Sequence, residues 1–328
     1  MIANVLPFVV LALLAASPSV VRAEGSPAPT RSPAPDEALR RDFAELARDD
    51  AAERARLTPE VLAAAKAIAD EKYPDGRAAV AAALAGPHRA PGNAARDAQR
   101  HPQETLELFG FAPDLAVLEY GPGEGWYTEV LAPALARDGK LYVTTPDPDG
   151  PRDQRPTLYA QRTKLFLERL PEAYGKVEPV VVDGKAPELP LDGELDLIVL
   201  MRGMHGMVNG GTLERWLAAF HRALKPGGVL GIEQHRAAPG ATASVTSKQG
   251  YLPEGFVVEQ VEEAGFRLAG KSEVNANPKD TRDHPEGVWT LPPTLRLGDR
   301  DRDRYVAIGE SDRMTLKFVK VEKAGAAD

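Results

Sequence analysis

The stretch VLEYGPGEGWYTEV, Val117 to Val130, decides the fold. Its apolar start, Ala116–Tyr120, reads as a short strand buried on both faces. Gly121, Gly123 and Gly125 follow at alternate positions, a spacing that lets a backbone turn sharply and approach a ligand where a β-carbon would clash. An apolar helix is then predicted over Thr128–Ala136. Strand, glycine turn and helix in that order set a ligand across the carboxyl end of a parallel sheet, where open α/β sheets bind small molecules.

Outward from this unit the chain alternates between strand and helix. Strands are predicted at Ala116–Tyr120, Gly139–Thr145, Val177–Val182, Leu195–Met201, Val229–Gln234, Arg267–Val274 and Met314–Val321. Helices fall between them at Thr128–Ala136, Gln161–Leu170, Thr212–Leu224 and Gly255–Gly265. Apolar runs such as LDLIVLM (195–201) suit strands covered by helices on both sides. No clear helix pattern precedes the last strand, which is therefore expected to run antiparallel. The expected fold is α/β, a Rossmann-like seven-stranded mostly parallel sheet with helices on both faces. Ahead of it, Asp36–Glu71 predicts two helices, the second opened by Thr58-Pro59-Glu60, and Pro102–Phe109 a short third. These make an N-terminal helical extension (37–110) on a domain spanning 111–322.

The loop leaves its ligand to be chosen. A dinucleotide fingerprint needs a glycine at the sixth position of G-x-G-x-x-G, where Trp126 stands, and its pyrophosphate would meet Glu119 and Glu124. A sulfonium compound bearing an amino group is compatible with carboxylates, and a glycine turn that binds nothing is the third reading. An acid ending the first strand, followed by G-x-G-x-G, resembles the class I methyltransferases. The resemblance extends, in order, to Asp183-Gly184 closing the third strand, Leu195–Val199 as the fourth, and Ala-Leu-Lys-Pro-Gly-Gly (223–228) before the fifth. It implies that S-adenosyl-L-methionine binds to Glu119, Gly121, Gly123, Gly125, Tyr127, Thr128, Asp147, Asp183, Gly184 and Arg202. Asp147 departs from the pattern. The acid that binds the ribose stands about 20 residues after the loop, whereas here the second strand ends Thr144-Thr145-Pro146-Asp147, and Thr145 is the alternative.

Over roughly Arg89 to Lys320 the chain is also similar to a narrower group, the exported "predicted methyltransferases" of bacteria. The segments that carry this are NAARDAQRHPQETLELFG (93–110), GWYTEVLAP (125–133), and the C-terminal GVWTLPPTLR and AIGESDRMTLKF. This resemblance implies the class I fold and its cofactor, and leaves the methyl acceptor open.

Methyl transfer is a displacement at a sulfonium carbon, which needs a positioned nucleophile and sometimes a base. His205, in Met201-Arg202-Gly203-Met204-His205, follows the fourth strand, and His235, in Glu233-Gln234-His235-Arg236, follows the fifth. His101, in Arg100-His101-Pro102, is placed to close over the site from the extension. Each is a candidate base, with a structural role as the alternative. His88, His221 and His284 read as incidental, His221 facing solvent. The histidines and Glu233 lack the spacing of metal motifs, so no metal is expected. In Gly309-Glu310-Ser311-Asp312-Arg313 an Asp–Arg pair is expected to lock the final hairpin, and Tyr251 and Trp289 either line a pocket or fill the core.

Bulk properties bound the rest. Of 328 residues, 43% are hydrophobic and 27% charged, as in a soluble globular protein. A net charge of −8, and the absence of Asn-Pro-Pro-Tyr after the fourth strand, argue for a small-molecule substrate and against nucleic acid. The lack of cysteine excludes disulfides, thiolate metal sites and a thiol nucleophile. Val5–Ala16 followed by Val21-Arg22-Ala23 predicts a signal peptide (1–23) cleaved after Ala23, hence a periplasmic or secreted protein with no stable membrane span after cleavage. The apolar run has no Lys or Arg before it, so an uncleaved anchor or a different start is the alternative. Residues 24–36, rich in Pro and Ser, read as a disordered linker, and 323–328 as a tail. Oligomeric state is not predicted. The leading reading is a methyltransferase acting on a small molecule. The alternative is a non-catalytic S-adenosylmethionine- or ligand-binding protein that retains the fold, suggested by the cytosolic origin of that cofactor. An NAD-dependent oxidoreductase comes third because of Trp126.

Overall fold

In the computed structural model, which describes residues 35–321, the extension contains α1 (Pro35–Arg56), α2 (Pro59–Asp70), α3 (Gly76–Ala85), α4 (Pro91–Ala94), α5 (Asp97–Arg100) and α6 (Pro102–Phe109). The expected signal peptide, most of the linker and the tail lie outside the described residues. Helix α1 begins at Pro35, so the last two residues of the expected linker are helical. Helix α3, GRAAVAAALA, is an addition to the sequence reading. Its alanines favour helix, and Asp75 caps it by accepting from Ala78 N at 2.8 Å.

The sheet then forms as β1 (Ala116–Glu119), β2 (Lys140–Thr145), β3 (Glu178–Val181), β4 (Leu195–Met201), β5 (Leu224–His235), β6 (Phe266–Ser272) and β7 (Arg313–Lys320). Between the strands lie α7 (Thr128–Leu135), α8 (Arg155–Arg169), α9 (Pro171–Tyr174), α10 (Met204–Asn209), α11 (Leu213–Ala223), α12 (Ala243–Thr246), α13 (Glu254–Glu263) and α14 (Arg302–Ile308). The seven strands run in the order β3-β2-β1-β4-β5-β7-β6. Strands β1 to β5 pair in parallel, and β7 enters antiparallel between β5 and β6. This is the Rossmann-like seven-stranded sheet expected, with its antiparallel last strand. Helix α8 starts at Arg155 rather than Gln161, because Pro156 fits the first helical turn.

Successive strand residues face opposite layers. Val117, Val199 and Val143 join α7 and Phe109 on one side, while Leu118, Ile198 and Leu230 join Trp216 and Phe220 of α11 on the other. Helix α7, TEVLAPAL, is apolar almost all round and buried along its whole length. A helix of that composition needs cover on the side away from the sheet. Ala65 of α2 with Ala79, Val80 and Ala83 of α3 supplies it, in the same cluster as Val130 and Leu131. The extension is thus part of the main core. Full burial of Leu131 or Leu135 contributes about 1.5–3 kcal/mol each.

Candidate functional site

The carboxyl ends of β1, β2 and β3 enclose a cavity of about 330 Å³. Its wall runs from Tyr120, Gly121, Pro122 and Gly123 through Thr144, Thr145 and Pro146 to Val182 and Gly184. Tyr159, Arg162 and Thr163 of α8 and Trp216 of α11 complete it. Gly121 and Gly123 take positive φ, +54° and +62°, and a β-carbon on either would project into open space. Their turn is held from below, where Gly121 N donates to Thr144 Oγ1 at 2.9 Å. Gly125 has a different task. At φ +82° it lies beneath Phe166, whose ring atoms would stand 2.3–2.6 Å from an added β-carbon. The first two glycines keep the cavity open, and the third lets α8 pack on the loop.

The acid that ends β1 is buried beside this loop. Glu119 Oε2 accepts from Thr128 Oγ1 at 2.7 Å. Burial pushes its carboxyl up to about 7, against the opposing effects of the Thr128 bond and the Arg202 charge. The remaining predicted acids behave otherwise. Glu124 is exposed and stands 3.5 Å from Arg162. Asp147 Oδ1 accepts from Asp149 N at 2.8 Å, within its own turn, and it is Thr145 and Pro146 that reach the cavity wall. Asp183 likewise accepts from Lys185 N at 2.9 Å, leaving Gly184 on the wall. Tyr127 points away from the cavity, its hydroxyl donating to Glu233 Oε2 at 3.2 Å. Tyr159, Arg162, Thr163 and Trp216 were missed. In sequence each reads as one more position of an amphipathic helix, and only the helices' placement over β1 to β3 shows otherwise.

Over the ends of β4 and β5 lies a buried ionic network. Arg202 takes φ +57° where β4 turns into α10, and its Nη1 donates to Glu233 Oε1 at 2.8 Å. Arg313 Nε stands 2.9 Å from the same carboxylate, and its Nη1 donates to Glu310 Oε2 at 2.7 Å. Arg96 and Arg100 of the extension reach Glu310 as well, at 2.8 and 2.9 Å. The hairpin is therefore locked, but not by the expected internal Asp–Arg pair. Asp312 bonds Arg236 at 3.0 Å and Arg282 at 2.6 Å instead.

The structure brings His205 and His235 together, with ring centroids 6.0 Å apart, and sets Trp289 edge-on to His205 at 5.8 Å. His235 Nδ1 lies 2.6 Å from Ser311 Oγ. Burial holds His205 below the ordinary imidazole range. It holds His235 well below that range, with the charges of His205, Arg202 and Arg313 adding to the effect. His101 does not join them. It sits in a left-handed turn at φ +41°, its Nδ1 3.2 Å from Asn275 Oδ1. The histidines read as incidental also differ from expectation. His88 is buried against the Glu129 carbonyl at 2.8 Å, His284 is buried against Asp280 at 2.8 Å, and His221 is half-buried over Phe266. Tyr251 is core, its hydroxyl donating to Asp280. Trp126 packs outward onto the extension, between the Arg89 and Arg100 guanidiniums, with Nε1 donating to Asn93 O at 2.9 Å. Among the described residues no three His, Asp or Glu side chains group to hold a metal, and no helix is long and apolar enough to cross a membrane.

No protein-family model and no curated protein sequence matches the chain. Solved structures do. A SAM-dependent methyltransferase from Aquifex aeolicus aligns at 18% identity over 69% of this chain and 93% of its own, with a TM-score of 0.46. The [4+2]-cyclase SpnF aligns at 20% identity over 69% and 81%, also with a TM-score of 0.46. The 1,6-didemethyltoxoflavin-N1-methyltransferase of Burkholderia thailandensis, solved with bound 1,6-didemethyltoxoflavin and S-adenosylhomocysteine, aligns at 15% identity over 71% of this chain and 80% of its own, with a TM-score of 0.41.

Proposed function

We propose that the chain binds S-adenosylmethionine in the cavity over β1 to β3 and transfers its methyl group to a small molecule held over β4 and β5. One observation carries this reading. Gly121 and Gly123 leave the cavity open where a β-carbon would enter it, and Glu119, a buried acid, ends β1 next to the Tyr120 that lines it. The residues present suit the cofactor. Thr144, Thr145 and Pro146 would face the ribose, Val182, Gly184 and Trp216 the adenine, and Glu119 with Arg202 the amino and carboxylate ends of the methionyl group. When bound, the sulfonium supplies an activated methyl group, and the protein's part is to hold the acceptor in line with it. The test is calorimetric titration of the full chain with S-adenosylhomocysteine. Binding in the micromolar range supports the proposal, and no heat at any concentration overturns it. Tritium-methyl transfer into extracts then separates an enzyme from a binding protein that retains the fold. The N-terminal 23 residues, whose sequence reads as a signal peptide, support an extracytoplasmic location. N-terminal sequencing of the native protein tests this, a start at Glu24 supporting export and an intact Met1 refuting cleavage.

A further inference from the structure

The contact of Gln234 with His205 favours one tautomer of the ring. Gln234 is fully buried, and its Nε2 donates to the Gly250 carbonyl at 2.9 Å, which fixes the orientation of the amide. The same NH2 group faces His205 Nδ1 at 3.4 Å and the His235 carbonyl at 3.5 Å. An NH2 group donates and does not accept, so its contact with the ring favours a lone pair on Nδ1. Burial keeps the ring neutral, and a neutral ring with a bare Nδ1 carries its proton on Nε2. That second nitrogen has no hydrogen-bond partner among the described residues, and His205 is half-buried at the end of β4. What the site offers there is a donor, the reverse of the base expected from sequence.

No other group nearby is ready to take a proton. His235 is engaged by Ser311, and its surroundings disfavour its charged form. Glu233 is shared by Arg202, Arg313 and Tyr127. Arg96, Arg100, Arg202 and Arg313 converge on Glu233 and Glu310, so neither carboxylate is free to act as a base.

We propose that the methyl acceptor is an oxygen acid that arrives already ionised, a carboxylate or an acidic phenol, its oxyanion held by the Nε2–H of His205 and its body against Trp289. This rests on the methyl-transfer reading above. The transfer breaks the methyl–sulfur bond and forms a methyl–oxygen bond. The electron pair of the broken bond stays on sulfur, and no proton has to be removed, so an ester or ether and a neutral thioether result.

The test uses the full chain saturated with S-adenosylhomocysteine and titrated with benzoate, benzyl alcohol or benzylamine. Nitrogen NMR of histidine-labelled protein reads the His205 tautomer. Benzoate is expected to bind about tenfold or more tighter than either other probe, with the His205 proton on Nε2. Gln234→Glu places an acceptor beside Nδ1, draws the proton there, and lowers benzoate affinity about tenfold while S-adenosylhomocysteine still binds. His205→Gln, which can still donate, retains benzoate binding, and His205→Leu loses it. A proton on Nδ1 in the wild type, or equal binding of the three probes to the loaded protein, overturns this proposal alone. Failure of S-adenosylhomocysteine to bind removes the methyl-transfer reading, and this one with it.

Discussion

Two neighbouring glycines of one loop should fail in opposite ways when each is replaced by alanine. At Gly123, φ is +62° and nothing lies within 4 Å of an added β-carbon, so the cost is the left-handed backbone alone, about 1–2 kcal/mol. At Gly125, φ is +82° and the β-carbon would sit 2.3 Å from Phe166 Cε2. Phe166 has little room to yield, being stacked on Tyr174 at 4.8 Å with Arg169 over its ring. Overpacking adds about 1–3 kcal/mol to the backbone cost, giving about 2–5 kcal/mol in all. For a domain of this size the melting temperature should fall by about 2–8 °C for Gly123→Ala and about 4–20 °C for Gly125→Ala. Ligand binding should reverse the order. Gly123→Ala puts a methyl group into the cavity and should weaken S-adenosylhomocysteine about tenfold or more, whereas Gly125→Ala, where folded, should keep most of its affinity. Calorimetry and thermal melts on the same preparations decide the matter. Wild-type affinity in Gly123→Ala, or a Gly125→Ala protein that melts no lower than Gly123→Ala, would refute the division of labour.

Three further outcomes follow from the geometry. Burial raises Glu119 from its ordinary 4.5 to about 7, so the folded state holds the extra proton between those values and stability falls as pH rises through that window, by up to about 3 kcal/mol. Glu119→Gln should remove this component, and urea melts at pH 5 and pH 8 that show the same difference between variant and wild type would count against it. Glu310→Ala leaves Arg96, Arg100 and Arg313 without their shared carboxylate and should cost about 3–5 kcal/mol in urea unfolding, a loss below about 1 kcal/mol contradicting the network's role. Asp147→Ala should leave S-adenosylhomocysteine affinity within about twofold, because that carboxylate caps its own turn, and a larger loss in titration would return it to the ribose site.

How far the sequence could be read depended on whether a signal was local. The strand, glycine turn and helix at 116–135 are adjacent in the chain, and their pattern alone located the cavity and its open glycines. His205 and His235 lie close together because each stands where one of two neighbouring strands ends. Asp147 and Asp183 were less legible. Spacing brings a carboxylate to the rim but does not say whether it turns to the cavity or to an amide two residues on, and in both cases the nearby amide won. Two partners of Glu310, Arg96 and Arg100, lie in the extension more than two hundred residues earlier, beyond any periodic signal. The cover that α2 and α3 give α7 was in principle readable, since a helix apolar on all sides has to be enclosed.

The insertion of β7 between β5 and β6 bears on how the chain is assembled. Strands β5 and β6 precede β7 in the chain, yet they pair only through its segment Arg313–Lys320. Until β7 docks, the β5 and β6 edges that it joins stay open, and Glu233 lacks the Arg313 guanidinium that meets it in the finished fold. A growing chain can order β1 to β4 and their helices in advance. The ends of β4 and β5, however, are completed only when β7 docks onto β5 and Glu310 onto Arg96 and Arg100 together, which ties the closing of this face to a segment that lies beyond all the other strands in the chain.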